Sequence, residues 1–485
     1  MLAPKQLSQD VIQRLKKIVG TAYVLSSAVD LAAYECDAET LDIARPDVVV
    51  LPSTTEEVAA VVQLANSLAI PFVVRGAGTG LSGGATCIMG GINIVLTRMT
   101  KILDIDSENM VAVVEVGVTN SAVSEAAEEF GLYFAPDPSS QTASTIGGNI
   151  AENAGGPHTL KYGMTTNHVL GITMVSAEGK IMTLGGKSKA RVGLDLIGLL
   201  VGSEGTLGIV TEAVLNLMPR SQAVETMLAY FSTVEDAGNA VSTIIARGVI
   251  PAAMEMMDGL TLNAVEDAQN MGLMREAAAL LIVELDGPRT GIFVQRQIVE
   301  SCLQPNNVKS FRWANDATER AKIWKARKSA FGGYGRIAPH AYVLDGVIPR
   351  SKLAEAITKI AAIGEKHVLI IGNVYHAGDG NLHPCLLFHR DNLDEVKRVM
   401  IAASEILEMC VDLGGTLSGE HGVGIEKVAE MAKLFTSEDL EAMRWIKSAF
   451  NSSGHLNPGK LLPTVKSCGE SGMRPLLRFQ IIGAC

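Results

Sequence analysis

The feature that most constrains this chain is a glycine-rich run at the end of a short apolar stretch. Arg75-Gly76-Ala77-Gly78-Thr79-Gly80-Leu81-Ser82-Gly83-Gly84 follows directly on the apolar residues Phe72 to Val74. Missing Cβ atoms let backbone N–H groups converge on an anion, and a diphosphate is the usual tenant of such a nest. Gly78, Gly80 and Gly83 also spell G-x-G-x-x-G, which in a dinucleotide-binding Rossmann unit must open a helix. Here Cys87-Ile88-Met89-Gly90-Gly91 leads into another β-rich run, Ile92 to Leu96. The Rossmann reading is therefore rejected.

A lone glycine loop is by default a turn without a ligand, but this one has company. Asp137 to Gly156 mixes hydroxyls, amides and glycines and contains almost no core-forming residue. A structureless loop of that length is uncommon inside a compact domain unless it is functional. A third run, Gly202-Ser203-Glu204-Gly205-Thr206-Leu207-Gly208-Ile209-Val210, again places glycines before a strand. Three such segments in one region favour an extended cofactor.

The surrounding pattern is α and β in alternation. An apolar run over Val48 to Leu51 precedes Ser53 and Glu56, which are spaced as a capping box, and Val58, Val61, Val62, Ala65 and Leu68 then recur at helical spacing. Ile92 to Leu96 and Met110 to Val116 are β-rich, and a helix is expected near Ser121 to Phe130. Near Pro219-Arg220-Ser221 the pattern changes to longer helical stretches, Ala237 to Arg247 and Leu353 to Glu365, between isolated strands such as Ala279 to Leu285. We expect a domain boundary there: an N-terminal helical segment over 1–45, a first domain over 46–220, a second over 221–424, and a C-terminal helical segment over 425–485 that returns to the first. The tail from about Val465 carries no readable pattern.

Composition narrows the partners. At 485 residues, two or three domains are expected. A net charge of -11 argues against nucleic acid as a partner. The amphipathic start lacks the apolar core of a signal peptide, and no apolar run reaches transmembrane length. Seven scattered cysteines form no C-x-x-C pair for zinc or an iron–sulfur cluster, and fit a reducing cytoplasm.

The richest stretch is residues 368–384, in which two apolar runs flank Asp379-Gly380, a strong hairpin signal. With those two residues as the loop, His376 pairs directly with His383, close enough for both imidazoles to reach one ion; the extra glycine and Asn381 also permit a wider loop. A lone histidine is more often structural, but two across an acidic glycine turn are less ordinary. Glu420, in Ser418-Gly419-Glu420-His421-Gly422-Val423-Gly424, is the expected third ligand. On a regular strand Glu420 and His421 would face opposite sides, so their joint use requires the irregular backbone that these glycines allow. Two nitrogens, a carboxylate and an open position suit catalytic zinc, with manganese or iron as alternatives.

These motifs resemble the vanillyl-alcohol oxidase/p-cresol methylhydroxylase flavoprotein family, and within it the FAD subunit of bacterial glycolate oxidase and the related D-lactate and D-2-hydroxyglutarate dehydrogenases. The resemblance runs from about Pro46 to Pro463. It implies an α+β fold: a two-subdomain FAD-binding domain of the p-cresol methylhydroxylase (PCMH) type, and a cap domain with a mainly antiparallel sheet covered by helices. By resemblance, Arg75, Gly76, Gly78, Thr79, Gly80, Leu81, Ser82, Gly83 and Gly84 wrap the FAD diphosphate. Pro138, Ser144, Gly147, Gly148, Asn149, Asn153, Gly155, Glu204, Gly208 and Ile209 line flavin and adenine, and Asn457 closes the site. The first loop holds neither His nor Cys, so the FAD is expected to be non-covalent, with Cys87 a buried thiol.

The same resemblance makes His376, His383 and Glu420 the metal ligands, His421 the general base and Arg327 the carboxylate clamp, although Arg327 read alone is a solvated helix arginine. The implied reaction oxidises a small 2-hydroxy acid to the 2-oxo acid by hydride transfer to flavin N5. Ala341 to Val347 offers no cation for a second carboxylate, although Lys328 and Arg336 lie near in sequence, so glycolate or D-lactate is favoured over D-2-hydroxyglutarate. A second flavin-type subunit and an iron–sulfur subunit are the implied partners, with a cytoplasmic location, peripheral to the membrane through them. A zinc hydrolase would leave the glycine segments without purpose, and a silent flavin-binding subunit would leave the histidines so.

Overall fold

The computed structural model describes residues 7–190 and 192–463, so the tail beyond Val465 lies outside the described residues. Two compact units form. Of the described residues, the first comprises 7–155, 164–190, 192–220 and 420–463, and the second 156–163 and 221–419.

Among the described residues the first unit carries eleven strands: β1 (Val24–Leu25), β2 (Val48–Val50), β3 (Phe72–Arg75), β4 (Ile92–Val95), β5 (Ile102–Asp106), β6 (Val111–Glu115), β7 (Leu132–Tyr133), β8 (Val169–Val175), β9 (Ile181–Gly185), β10 (Ile209–Asn216) and β11 (Met218–Pro219). A four-stranded sheet runs β1-β2-β4-β3, with β4 parallel to both β2 and β3. A five-stranded antiparallel sheet runs β5-β6-β10-β8-β9, and β11 pairs with β7. The β2–helix–β3 order follows from the apolar spacing: Val58, Val61, Val62 and Ala65 on helix Thr55–Ser67 are fully buried in one core with Val48, Val50, Phe72 and Ile94.

The helix cap lies one residue later than the spacing predicts. Thr54, not Ser53, is the N-cap, its side chain accepting from Glu57 N at 3.1 Å. The Glu57 carboxylate in turn takes the Ser53 N–H at 2.7 Å. Glu57 rather than Glu56 therefore closes the turn, because it is the residue whose side chain reaches back to Ser53.

The second unit is built on one sheet from β12 (Ala223–Phe231), β13 (Ala253–Asp258), β14 (Ala279–Gly287), β15 (Val308–Trp313), β16 (His340–Val343), β17 (Gly346–Val347), β18 (Ile370–His376) and β19 (Asn381–Phe388). Its order is β15-β12-β14-β13-β18-β19-β16, with β17 also on β19, and every pairing is antiparallel. Met257, Leu280, Ile282 and Val374 pack on one face with Leu262, Val265, Ile323 and Ala326 from helices Gly259–Gln269 and Ala317–Lys328.

Residues 156–163 belong to this second unit because their polar side chains are tied to its sheet. His158 Nε2 lies 3.1 Å from Glu284 Oε1, while Lys161 and Tyr162 bind the Asp286 carboxylate. The chain that follows the second glycine segment is thus a strap on the sheet rather than a free loop.

Candidate active site

In the first unit the first two glycine segments touch. A Cβ added at Gly76 would stand 2.4 Å from Thr145 Oγ1 and 3.7 Å from Gly148 N, so only glycine permits this approach. Gly147, Gly148 and Asn149 lie on helix Ile146–Glu152, which Thr145 caps through Gly148 N at 3.3 Å and Asn153 ends in the left-handed region at φ 55°. Gly208 and Ile209 stand at the start of β10, where a Cβ on Gly208 would strike Met174. Pro138 lies in the turn before Ser144, its carbonyl accepting Gln141 N–H at 2.8 Å.

Arg75 braces this loop from within. Its Nη1 donates to Cys36 O at 2.7 Å, its guanidinium lies 5.5 Å from the Tyr34 ring centre, and a Cβ on Gly78 would collide with it. Asn457 ties separate stretches together: its Nδ2 donates to Glu204 O at 2.9 Å, and its Oδ1 accepts Val74 N–H at 3.0 Å.

Ser82 Oγ, Ser144 Oγ and Asn149 Nδ2 are buried and lack a hydrogen-bond partner among the described residues. A buried polar atom without a partner costs about 1–3 kcal/mol, and these three belong to residues assigned to FAD from the sequence. Their donor and acceptor chemistry fits a polar dinucleotide.

Glu204 has a second task. Its Oε1 and Oε2 accept the Val423 and Gly424 N–H groups, each at 2.7 Å. Burial raises its carboxyl pKa, opposed by those backbone bonds and by Lys427. The brace shapes the loop that carries Glu420 and His421, where Gly422 and Gly424 take φ of 82° and 51°. No regular strand forms there.

In the second unit, β18 and β19 form the expected hairpin with a different register. His376 pairs with Asn381 and Val374 with His383, so the loop is the four residues 377–380 and not Asp379-Gly380 alone. The wider loop follows from Gly380, whose N–H donates to His376 O at 3.1 Å while its own carbonyl accepts Ile348 N–H at 3.0 Å. The two histidines are therefore diagonal rather than opposed. They still share a face, with ring centres 5.0 Å apart and planes at 90°.

Each histidine presents Nδ1 to an acceptor. His376 Nδ1 lies 2.7 Å from Glu255 Oε1, and His383 Nδ1 lies 3.1 Å from Leu344 O. Imidazoles held this way by a carboxylate or carbonyl are oriented to ligate through Nε2. The pair thus fits a divalent cation, and both side chains are about 95 % buried.

Arg327 is 4 % exposed, so its solvated reading is wrong: Nε donates to Glu255 Oε2 at 2.6 Å. Glu255 stands on β13 directly opposite His376, fully buried. Burial by itself would raise its pKa, but the charges of His376 and Arg327 outweigh burial and hold it below the ordinary carboxylate range. Sequence reading missed Glu255, because a carboxylate between methionines in the strand Ala253–Asp258 gives no signal of its partners.

Nearby, Asp345 accepts from Ser418 Oγ at 2.5 Å and from Gly419 N at 3.0 Å, fixing the chain immediately before Glu420. Lys328 and Arg336 are exposed, and Arg336 Nη1 donates to Asp267 O. Among the described residues no helix is long and apolar enough to cross a membrane.

Residues 46–185 match the family model "FAD binding domain", and residues 220–461 match "FAD linked oxidases, C-terminal domain". The chain is 42 % identical to glycolate oxidase subunit GlcD of Escherichia coli K12 over 95 % of its own length and 93 % of that protein. The chain belongs to the FAD-linked oxidase family. This FAD-linked oxidase is also 36 % identical to D-lactate dehydrogenase of Archaeoglobus fulgidus, over 86 % and 91 % of the two chains. Its fold matches that of p-cresol methylhydroxylase with substrate bound, at a TM-score of 0.78 and 18 % identity over 94 % and 98 % of the two chains. The likeness establishes the PCMH-type α+β architecture expected from the sequence.

Proposed function

We propose that this FAD-linked oxidase converts a small 2-hydroxy acid, glycolate or D-lactate, to the 2-oxo acid. The observation that carries the reading is the buried His376–His383 pair with both Nδ1 atoms engaged, in a chain whose 42 %-identical relative is a glycolate oxidase subunit. FAD, when bound without a covalent link, accepts the hydride; a divalent cation, zinc or else manganese or iron, supplies Lewis acidity to the substrate hydroxyl. His376, His383 and Glu420 would hold that cation.

The chain's own residues do the remainder. Arg327 binds the substrate carboxylate through its guanidinium and fixes the plane of the acid. His421 takes the hydroxyl proton as hydride leaves Cα, so the substrate loses two electrons and two protons. The loops at Gly76 to Gly84, Ser144 to Asn149 and Glu204 to Ile209 position the cofactor. The exposure of Lys328 and Arg336 favours a monocarboxylate over 2-hydroxyglutarate. Electrons pass onward to a partner: a second flavin-type subunit and an iron–sulfur subunit, on the cytoplasmic side of a membrane.

Anaerobic addition of D-lactate or glycolate should bleach the flavin absorbance of the purified protein. A flavin inert to every hydroxy acid would defeat the reading, and colourless protein with bound zinc would favour a hydrolase. His421→Ala should lower turnover by about 10²–10⁴-fold with flavin content intact; unchanged turnover removes His421 as the base.

A further inference from the structure

We infer that Glu255 is a positioning residue that joins the metal ligand His376 to the substrate clamp Arg327 through one carboxylate. The inference rests on the functional reading above and adds a residue to it.

The geometry is specific. Glu255 sits on β13 in register with His376 on β18, and neither side chain has a solvent path worth the name, at 0 % and 4 % exposed. Oε1 meets His376 Nδ1 at 2.7 Å and Oε2 meets Arg327 Nε at 2.6 Å. The two oxygens thus serve two different functional side chains from two different elements.

Two consequences follow from the chemistry of the groups. A carboxylate on Nδ1 makes that nitrogen the proton-bearing one, commits His376 to ligation through Nε2 and raises the basicity of the ring. A carboxylate on Nε fixes the guanidinium plane from its base and leaves the terminal nitrogens to meet a second, bidentate carboxylate. The same anion offsets the charge of a buried arginine, whose unpaired burial would be costly. One residue therefore sets the angle between cation and clamp, the two groups that would grip a 2-hydroxy acid by hydroxyl and carboxylate.

The test compares Glu255→Gln, Arg327→Gln and the double variant, each loaded with FAD. Zn(II) affinity is measured by chelator competition, with flavin content and thermal unfolding alongside. Glu255→Gln and the double variant should bind Zn(II) about 10–100-fold more weakly, while Arg327→Gln keeps wild-type Zn(II) affinity and loses substrate affinity. Glu255→Asp, which retains the charge, should recover part of the loss. The double variant leaves no unpaired buried charge, so it carries the comparison if Glu255→Gln misfolds.

Wild-type Zn(II) affinity in folded Glu255→Gln overturns the inference while the functional reading stands. Equal weakening in Arg327→Gln also overturns it, because the ion pair would then act only on the fold. If the wild-type protein binds no Zn(II), or His376→Ala binds it unchanged, the metal part of the functional reading fails and the inference falls with it.

Discussion

Glu284 shows how much one residue can organise. It is 1 % exposed, and its carboxylate accepts from Thr226 Oγ1, Trp324 Nε1 and both Arg320 Nε and Nη2, with His158 Nε2 at 3.1 Å. Burial would raise its pKa, but the bonds to His158 and Arg320 overcome that and press it far below the ordinary range. A depressed carboxylate stabilises the fold fully above its unfolded pKa and loses that contribution as pH falls toward the folded one. Stability should therefore hold at neutral pH and decline below about pH 4.3, the unfolded Glu value. Glu284→Gln should cost about 3 kcal/mol at pH 7 by urea titration, the low end for breaking a buried pair, because Arg320 is partly exposed. The variant should also lose the steeper part of the acid dependence. The strand around Glu284 was readable from its β-rich run. Its partners were not, since they stand 36 to 126 residues away in the chain, and no local pattern reports such a distance.

The hairpin β18–β19 separates what an element declares from what its neighbours decide. Asp379-Gly380 between two apolar runs announces a turn, and a turn is there. Its length is four residues and not two because Gly380 is clasped by Ile348 on the chain segment following β17. Gly380 has φ of 85°, and an added Cβ would stand 2.1 Å from Ile348 O. Gly380→Ala should therefore destabilise the protein by more than about 1 kcal/mol, and it should release Zn(II) more readily, since the turn sets the offset between His376 and His383. Urea unfolding and metal retention after dialysis check both. The helix Thr55–Ser67 gives a second case. Thr54→Ala should cost about 1 kcal/mol as loss of an N-cap, measured in the same way, because the cap is Thr54 and not the Ser53 that spacing favoured.

At the scale of the whole molecule, each unit has its own core, and all the residues assigned to FAD belong to the first. Of the three tryptophans, Trp445 lies in the first unit and Trp313 and Trp324 in the second, so in a Trp445→Phe background tryptophan fluorescence reports the second unit. A ligand stabilises what it binds by RT ln(1 + [L]/Kd), about 2.7 kcal/mol at a hundredfold excess over Kd. Added FAD should thus raise the midpoint for flavin release more than the midpoint read from tryptophan fluorescence in that background; coincident shifts would show that the units unfold as one. Spacing and glycine placement determined the short strands and helices that carry the loops, because periodicity and φ preferences are local properties of the chain, while the α+β class and the flavoprotein family followed from the resemblance those motifs carry. Tertiary structure alone decided the hairpin register, the burial of Arg327, the strap at residues 156–163 and the place of Glu255 between a histidine and an arginine. Those depend on which distant backbone and side-chain groups compete for the same hydrogen bonds, and that competition exists only once the strands are side by side.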